Sequence, residues 1–183
     1  SNKMNDKYEL TYEAIKVDGH ILHRIRALKD FAGVTKGDLG GFVESEENLS
    51  SEGNCWVFGN GRVFDNGQVS DNGHVFGNGL VFDNGQVSDN GHVSGNGRVY
   101  GNGCVAKNGC VYNNGRVTGY GCVSGYGCVT GYGCISGYGC ISGNGHVTGN
   151  GFVYGNGCVS GNACVSGNGE ISGTGLIKSN ETN

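Results

Sequence analysis

From Val57 onward the chain places an aliphatic residue at every sixth position without a slip: Val57, Val63, Val69, Val75 and so on, through Ile135 and Ile141, to Ile177, 21 positions in all. The two flanking positions vary. Three residues after each aliphatic comes Asn in 16 repeats, Tyr in four (Tyr120, Tyr126, Tyr132, Tyr138) and Thr174 in one. Glycine follows, with Ala163 the one departure before Glu181. A β-branched residue between two variable ones predicts a short strand whose middle side chain points one way and whose neighbours point the other. Asn-Gly predicts the turn, since both residues tolerate positive φ at low cost. Asn-Gly is also a hairpin signal, so an antiparallel meander is the competing arrangement. Strands this short would bury one side chain each and have little independent stability, which disfavours it.

Hexapeptide repeats resemble the left-handed parallel β-helix, in which three hexads make one triangular coil and positions eighteen apart lie over one another. The expected fold is therefore all-β: a left-handed parallel β-helix of about seven coils over residues 53–180, about 34 Å long at the usual strand spacing. Residues 4–52 hold much of the charge and none of the repeat. There Tyr8, Leu10 and Tyr12 alternate, as do Ile21, His23, Ile25 and Ala27, which predicts two strands joined around Asp18-Gly19. This region reads as a small β-rich cap over the unpaired strand edges of the first coil.

Composition narrows the class. With 39 glycines but no proline, collagen is excluded. A hydrophobic content of 36% and a net charge of only −4 argue against a disordered chain. No apolar run reaches the ~18 residues of a membrane span and no signal-peptide pattern opens the chain, so a cytoplasmic protein without a membrane partner is expected. Ser1, Asn2 and Lys3, which precede Met4, are set aside from the fold argument. The nine cysteines are an odd number, and column neighbours ~4.8 Å apart exceed the ~3.8 Å Cβ separation of a disulfide. Reduced thiols are the expectation, in keeping with the cytoplasm.

Sorting the outward positions by every third hexad gives three distinct faces. The first runs Trp56, His74, His92, Cys110, Cys128, His146, Cys164. Thiols and imidazoles at strand spacing are soft-metal ligands, which makes His92, Cys110 and Cys128 the metal candidates. A straight ladder fans such ligands out where tetrahedral closure needs convergence, so zinc is not expected. The second face carries Arg62, Arg98 and Arg116 beside Phe64, Phe82 and Tyr100. Arginine with aromatics holds planar anions by charge and stacking, so a small nucleotide is the candidate ligand. The acidic pI of about 5.7 argues against bulk nucleic-acid binding. The third face is flat and uncharged. Its Cys104, Cys122, Cys140 and Cys158, flanked by Ser124 and Ser142, suggest a surface covered by a second copy of the chain.

The stretch RIRALKDFAGVTKGDLGGFVESEENLSSEGNCWV, Arg24 to Val57, resembles the head of a family of bacterial and phage hexapeptide-repeat proteins classed as acyltransferases. The resemblance implies a cell or phage-infected host as the setting, a homo-oligomer, most often a trimer, and an acyl-coenzyme A site between subunits with a histidine base. His74, His92 and His146 are the histidines available for that role. The family's catalytic members often carry a loop that breaks out of the coil, whereas this period runs unbroken from Val57 to Ile177. The expected function is thus a rigid, non-catalytic scaffold for assembly or ligand binding that needs no cofactor. An acyltransferase and a nucleotide-sequestering binder are the alternatives.

Overall fold

In the computed structural model, which describes residues 4–178, every aliphatic of the period closes a two-residue strand and turns its side chain inward. Positions 179 and 180 of the expected repeat region lie outside the described residues. Strands β1 (Tyr8–Val17) and β2 (His20–Ala27) form an antiparallel hairpin, and β3 (Leu39–Val43) pairs with β2. The two-residue strands follow at six-residue intervals from β4 (Trp56–Val57) to β24 (Leu176–Ile177). Each pairs in parallel with the strand eighteen residues on: Val57 with Val75, Val63 with Val81, Val69 with Val87. The result is a parallel β-helix with three sheets, in which residues eighteen apart share one surface column. Among the described residues the chain is all-β apart from one 3-10 turn, Glu46–Asn48.

The outward columns of the three sheets distinguish an arginine sheet, a histidine–thiol sheet and a cysteine sheet. The arginine sheet has ten strands because β1, β2 and β3 extend it, while the histidine–thiol sheet and the cysteine sheet have seven each. The core is a stack of aliphatics, all fully buried from Val57 to Val159 except for a trace of exposure at Val69. Each contributes roughly 1.5–3 kcal/mol on burial. Their stacking is what holds strands too short to persist alone.

The winding starts before the period does. Val43 lies over Val63 and Leu49 over Val69, both at an offset of twenty, so one irregular turn precedes the first regular coil. Asn48 fastens it. Its buried amide donates to the carbonyls of Asp65 and Gly67 (3.1 and 2.9 Å) and its Oδ1 accepts from the amides of Glu44 and Ser45.

Three expectations need correction. The turn does not place positive φ on Asn and the following Gly. The left-handed residue is the one before Asn, as at Gly59 (φ 57), Asp65 (φ 54) and Asn113 (φ 53). The glycine after Asn is needed for space instead: a Cβ on Gly61 would lie 3.0 Å from methyls of both Val57 and Val75. Aspartates tolerate the left-handed position because their carboxylates accept from the next coil, as Asp71 does from the Asp89 amide (3.0 Å) and Asp83 from the Gly101 amide (3.0 Å).

Trp56 stands in an outward column, yet it is 1% exposed. The cap folds over it: Tyr8 and Phe31 meet its ring edge-on at centroid distances of 6.1 and 5.3 Å. The cap's alternation holds only in part. Asp18 (φ 48) and Gly19 (φ 85) make the expected hairpin turn, but a bulge between Leu10 and Ala14 shifts the register. Ile25 faces the core of the coil, Leu22 on the opposite face of β2 packs with Phe42 and Phe64, and Tyr12 and Ile21 are exposed. Lys7 completes the plug. Its buried ammonium donates to the Cys55 carbonyl (2.7 Å) and the Ser50 carbonyl (3.2 Å), and it lies 4.9 Å from the Phe31 ring centroid.

Candidate functional site

The arginine sheet brings Arg62, Leu80, Arg98 and Arg116 into one outward column, in register. Two residues along, Phe64, Phe82 and Tyr100 stack face to face at 5.1 and 5.0 Å, with interplanar angles of 4° and 3°. Phe64 is itself covered, packed with Leu22 and Phe42 beneath the hairpin and against His20. Phe82 and Tyr100 remain half-open to a ligand.

Charge distinguishes these arginines from those of the cap. Arg24 pairs with Glu13 (2.8 Å) and stacks on Phe42, and Arg26 pairs with Glu9 (2.9 Å). Among the described residues no carboxylate pairs with Arg62, Arg98 or Arg116, and the buried Nε of Arg62 has no hydrogen-bond partner. Like charges one strand apart repel unless an anion lies between them.

Depressions interrupt this face among the described residues. One, of about 360 Å³, is lined by Arg62, Arg98, Leu80 and the corner ladder Asn78, Asn96, Asn114. Another, of about 640 Å³, opens where the columns shrink to Thr118, Cys134 and Ser136 between Tyr100 and Phe152. Arg116 and Glu170 give it charges of opposite sign, and Tyr132 leans in from the corner. Small side chains between large ones make a hollow because the backbone spacing does not vary.

The histidine–thiol sheet behaves differently. His74 and His92 stack at 5.5 Å, flanked by Phe58 and Phe76. His74 Nε2 contacts the Asn54 carbonyl (3.3 Å), and its Nδ1 contacts His92 Nε2 (3.4 Å). No carboxylate hydrogen-bonds His74, His92 or His146 among the described residues; the histidine that has one is His20, whose Nδ1 lies 2.9 Å from Glu44 Oε2. That pair was not singled out from the sequence, because twenty-four residues separate its members and only the hairpin brings them together.

Burial holds His74 below the ordinary imidazole value of 6.5, and His92 beside it acts in the same direction. The folded state thus favours neutral His74. Its contribution to stability is present above about pH 6.5 and is lost as pH falls through the lower folded value. We expect thermal stability to decline on acidification below that point, and His74→Gln to flatten this decline. An unchanged slope in the variant would remove His74 as the cause. His20, raised by its hydrogen bond to Glu44, acts with the opposite sign, losing its contribution as pH rises.

His92, Cys110 and Cys128 occupy consecutive strands, and the Cys110 and Cys128 sulfurs are 3.2 Å apart. Among the described residues, no three His, Cys, Asp or Glu side chains converge as a metal site. On the cysteine sheet Cys104, Cys122, Cys140 and Cys158 stack in register, each half-buried, with Ser124 and Ser142 alongside. All nine cysteines are free thiols. Among the described residues no helix is long and apolar enough to cross a membrane.

No protein-family model matches the chain, and neither does any curated protein. The likeness drawn from Arg24 to Val57 rests on those residues alone, whereas the stacked parallel coils stand on the geometry.

Proposed function

We propose that the protein is a rigid, non-catalytic β-helix whose arginine sheet binds a small planar anion of the nucleotide class. One observation carries the reading: Arg98 and Arg116 stand one strand apart, without carboxylate partners among the described residues, beside a stacked aromatic column with a hollow next to it. Guanidinium forks suit phosphate oxygens, and Tyr100 and Tyr132 offer ring faces to a base. A fixed backbone keeps these groups in place before the ligand arrives, which lowers the ordering cost of binding.

Calorimetric titration of the full chain with adenosine monophosphate at low salt tests this. Binding is expected, and Arg98→Ala or Arg116→Ala should each weaken it by about tenfold or more, the worth of a hydrogen bond to a charged group. No heat and no thermal stabilisation, or equal affinity in the double variant, would sink the proposal. Turnover of an acyl-coenzyme A that His92→Ala abolishes would replace it with the acyltransferase reading.

A further inference from the structure

We propose that Cys110 and Cys128 form a reversible dithiol–disulfide couple oxidised by small hydroperoxides. The proposal is independent of the arginine sheet. Its basis is the 3.2 Å contact between the two sulfurs, which share one S–H hydrogen bond across adjacent strands. About 4.8 Å exceeds the usual Cβ separation of a disulfide, but the strand repeat is a Cα separation, and as such it lies within the window disulfides accept. The thiols have only to lean together, as these two already do.

The surroundings suit the chemistry. His92 is the in-register neighbour of Cys110 on one side and His146 that of Cys128 on the other, so two imidazoles bracket the thiol pair. Either can accept a proton. The shared S–H eases the first ionisation of the pair and hinders the second. Either sulfur can hold the resulting charge. Cys110 is half-buried where Cys128 is 5% exposed, so it is the sulfur an oxidant reaches.

The Cys110 thiolate attacks the nearer peroxide oxygen. An S–O bond forms, the O–O bond breaks, and the departing oxygen leaves with a proton as alcohol, or as water from hydrogen peroxide. Cys128 then attacks the sulfenic acid: the S–S bond forms, the S–O bond breaks, and hydroxide departs with the Cys128 proton as water. Two thiols give two electrons to one peroxide. The product links two neighbouring coils without altering their register.

The test uses the full chain and a limiting amount of hydrogen peroxide, with free thiols blocked before unfolding. Cleavage after Lys107 and after aromatic residues isolates Cys110 in 108–112 and Cys128 in 127–132. We expect these two peptides to appear joined, at about tenfold the yield of any other thiol pair, and a dithiol reductant to separate them. Equal linkage of Cys104 with Cys122, or of any other in-register pair, would overturn the assignment. So would sulfinic acid at Cys110 with Cys128 still a free thiol.

Discussion

Trp56→Ala is expected to cost about 3–5 kcal/mol, the range for truncating a fully buried large aromatic. The indole lies at the junction of three elements: Tyr8 at the start of β1, Phe31 in the loop after β2, and the first regular coil through its pairing with His74. Removing it opens a cavity that the Lys7 ammonium and its carbonyl partners border, so a buried charge would be left next to a void. The loss should also be local, because in a stacked solenoid each coil is stabilised chiefly by its neighbours. Amide exchange would show this. The Phe58 amide, bonded to the Val75 carbonyl, should lose protection, while the Thr130 amide, bonded to Val147, should keep it. A stability change under about 1 kcal/mol would mean that the cap does not depend on this contact.

Gly85→Ala is the second change expected to be severe for its size, at about 1–3 kcal/mol for one added methyl. Gly85 has no positive φ, so its backbone conformation suits any residue. The obstacle is steric: the new Cβ would lie 2.5 Å from the Val99 carbonyl oxygen, which already accepts from the Phe82 amide at 3.1 Å. The coils would have to part, weakening that ladder. Gly173→Ala is the comparison, since a Cβ there meets nothing within 4 Å and only the positive φ of 60° opposes it. Denaturant unfolding that ranked Gly173→Ala as the more damaging would contradict this account of the inward glycines. Ala163 shows that the position accepts a methyl in the coil before the last described strand, Leu176–Ile177.

Much of the scaffold was legible because the period is strict. Inward Val and Ile at six-residue spacing leave one way to bury every aliphatic at once, and the columns follow from it. The stacking of Phe64, Phe82 and Tyr100 and the shared corner of Tyr120 and Tyr138, now seen as a 5.1 Å stack, were both readable from residue numbers. The cap was less so. Leu22 and Ile25 bury opposite faces of β2, one against Phe42 and Phe64 and the other in the core of the coil, and the sequence there carries no single signal for it. Nothing in the pattern separates the buried Trp56 from the exposed His92 and His146 below it in its column. Nor does the pattern distinguish the covered Phe64 from the open Tyr100.

The candidate sites divide along the same line. That Arg62, Arg98 and Arg116 share a column is a matter of counting by eighteen. That they lack carboxylate partners among the described residues, while Arg24 and Arg26 have them, depends on where the hairpin places Glu13 and Glu9. Likewise Cys110 and Cys128 were neighbours by number, but the 3.2 Å approach of their sulfurs depends on side-chain rotamers within a packed face. Repetition along the chain therefore determined the coil, its three sheets and the order of residues on each, because backbone ladders and aliphatic burial act identically at every hexad. Tertiary structure decided which of those residues are covered, paired or left in reach of a ligand, because these properties depend on contacts between segments that the period does not relate.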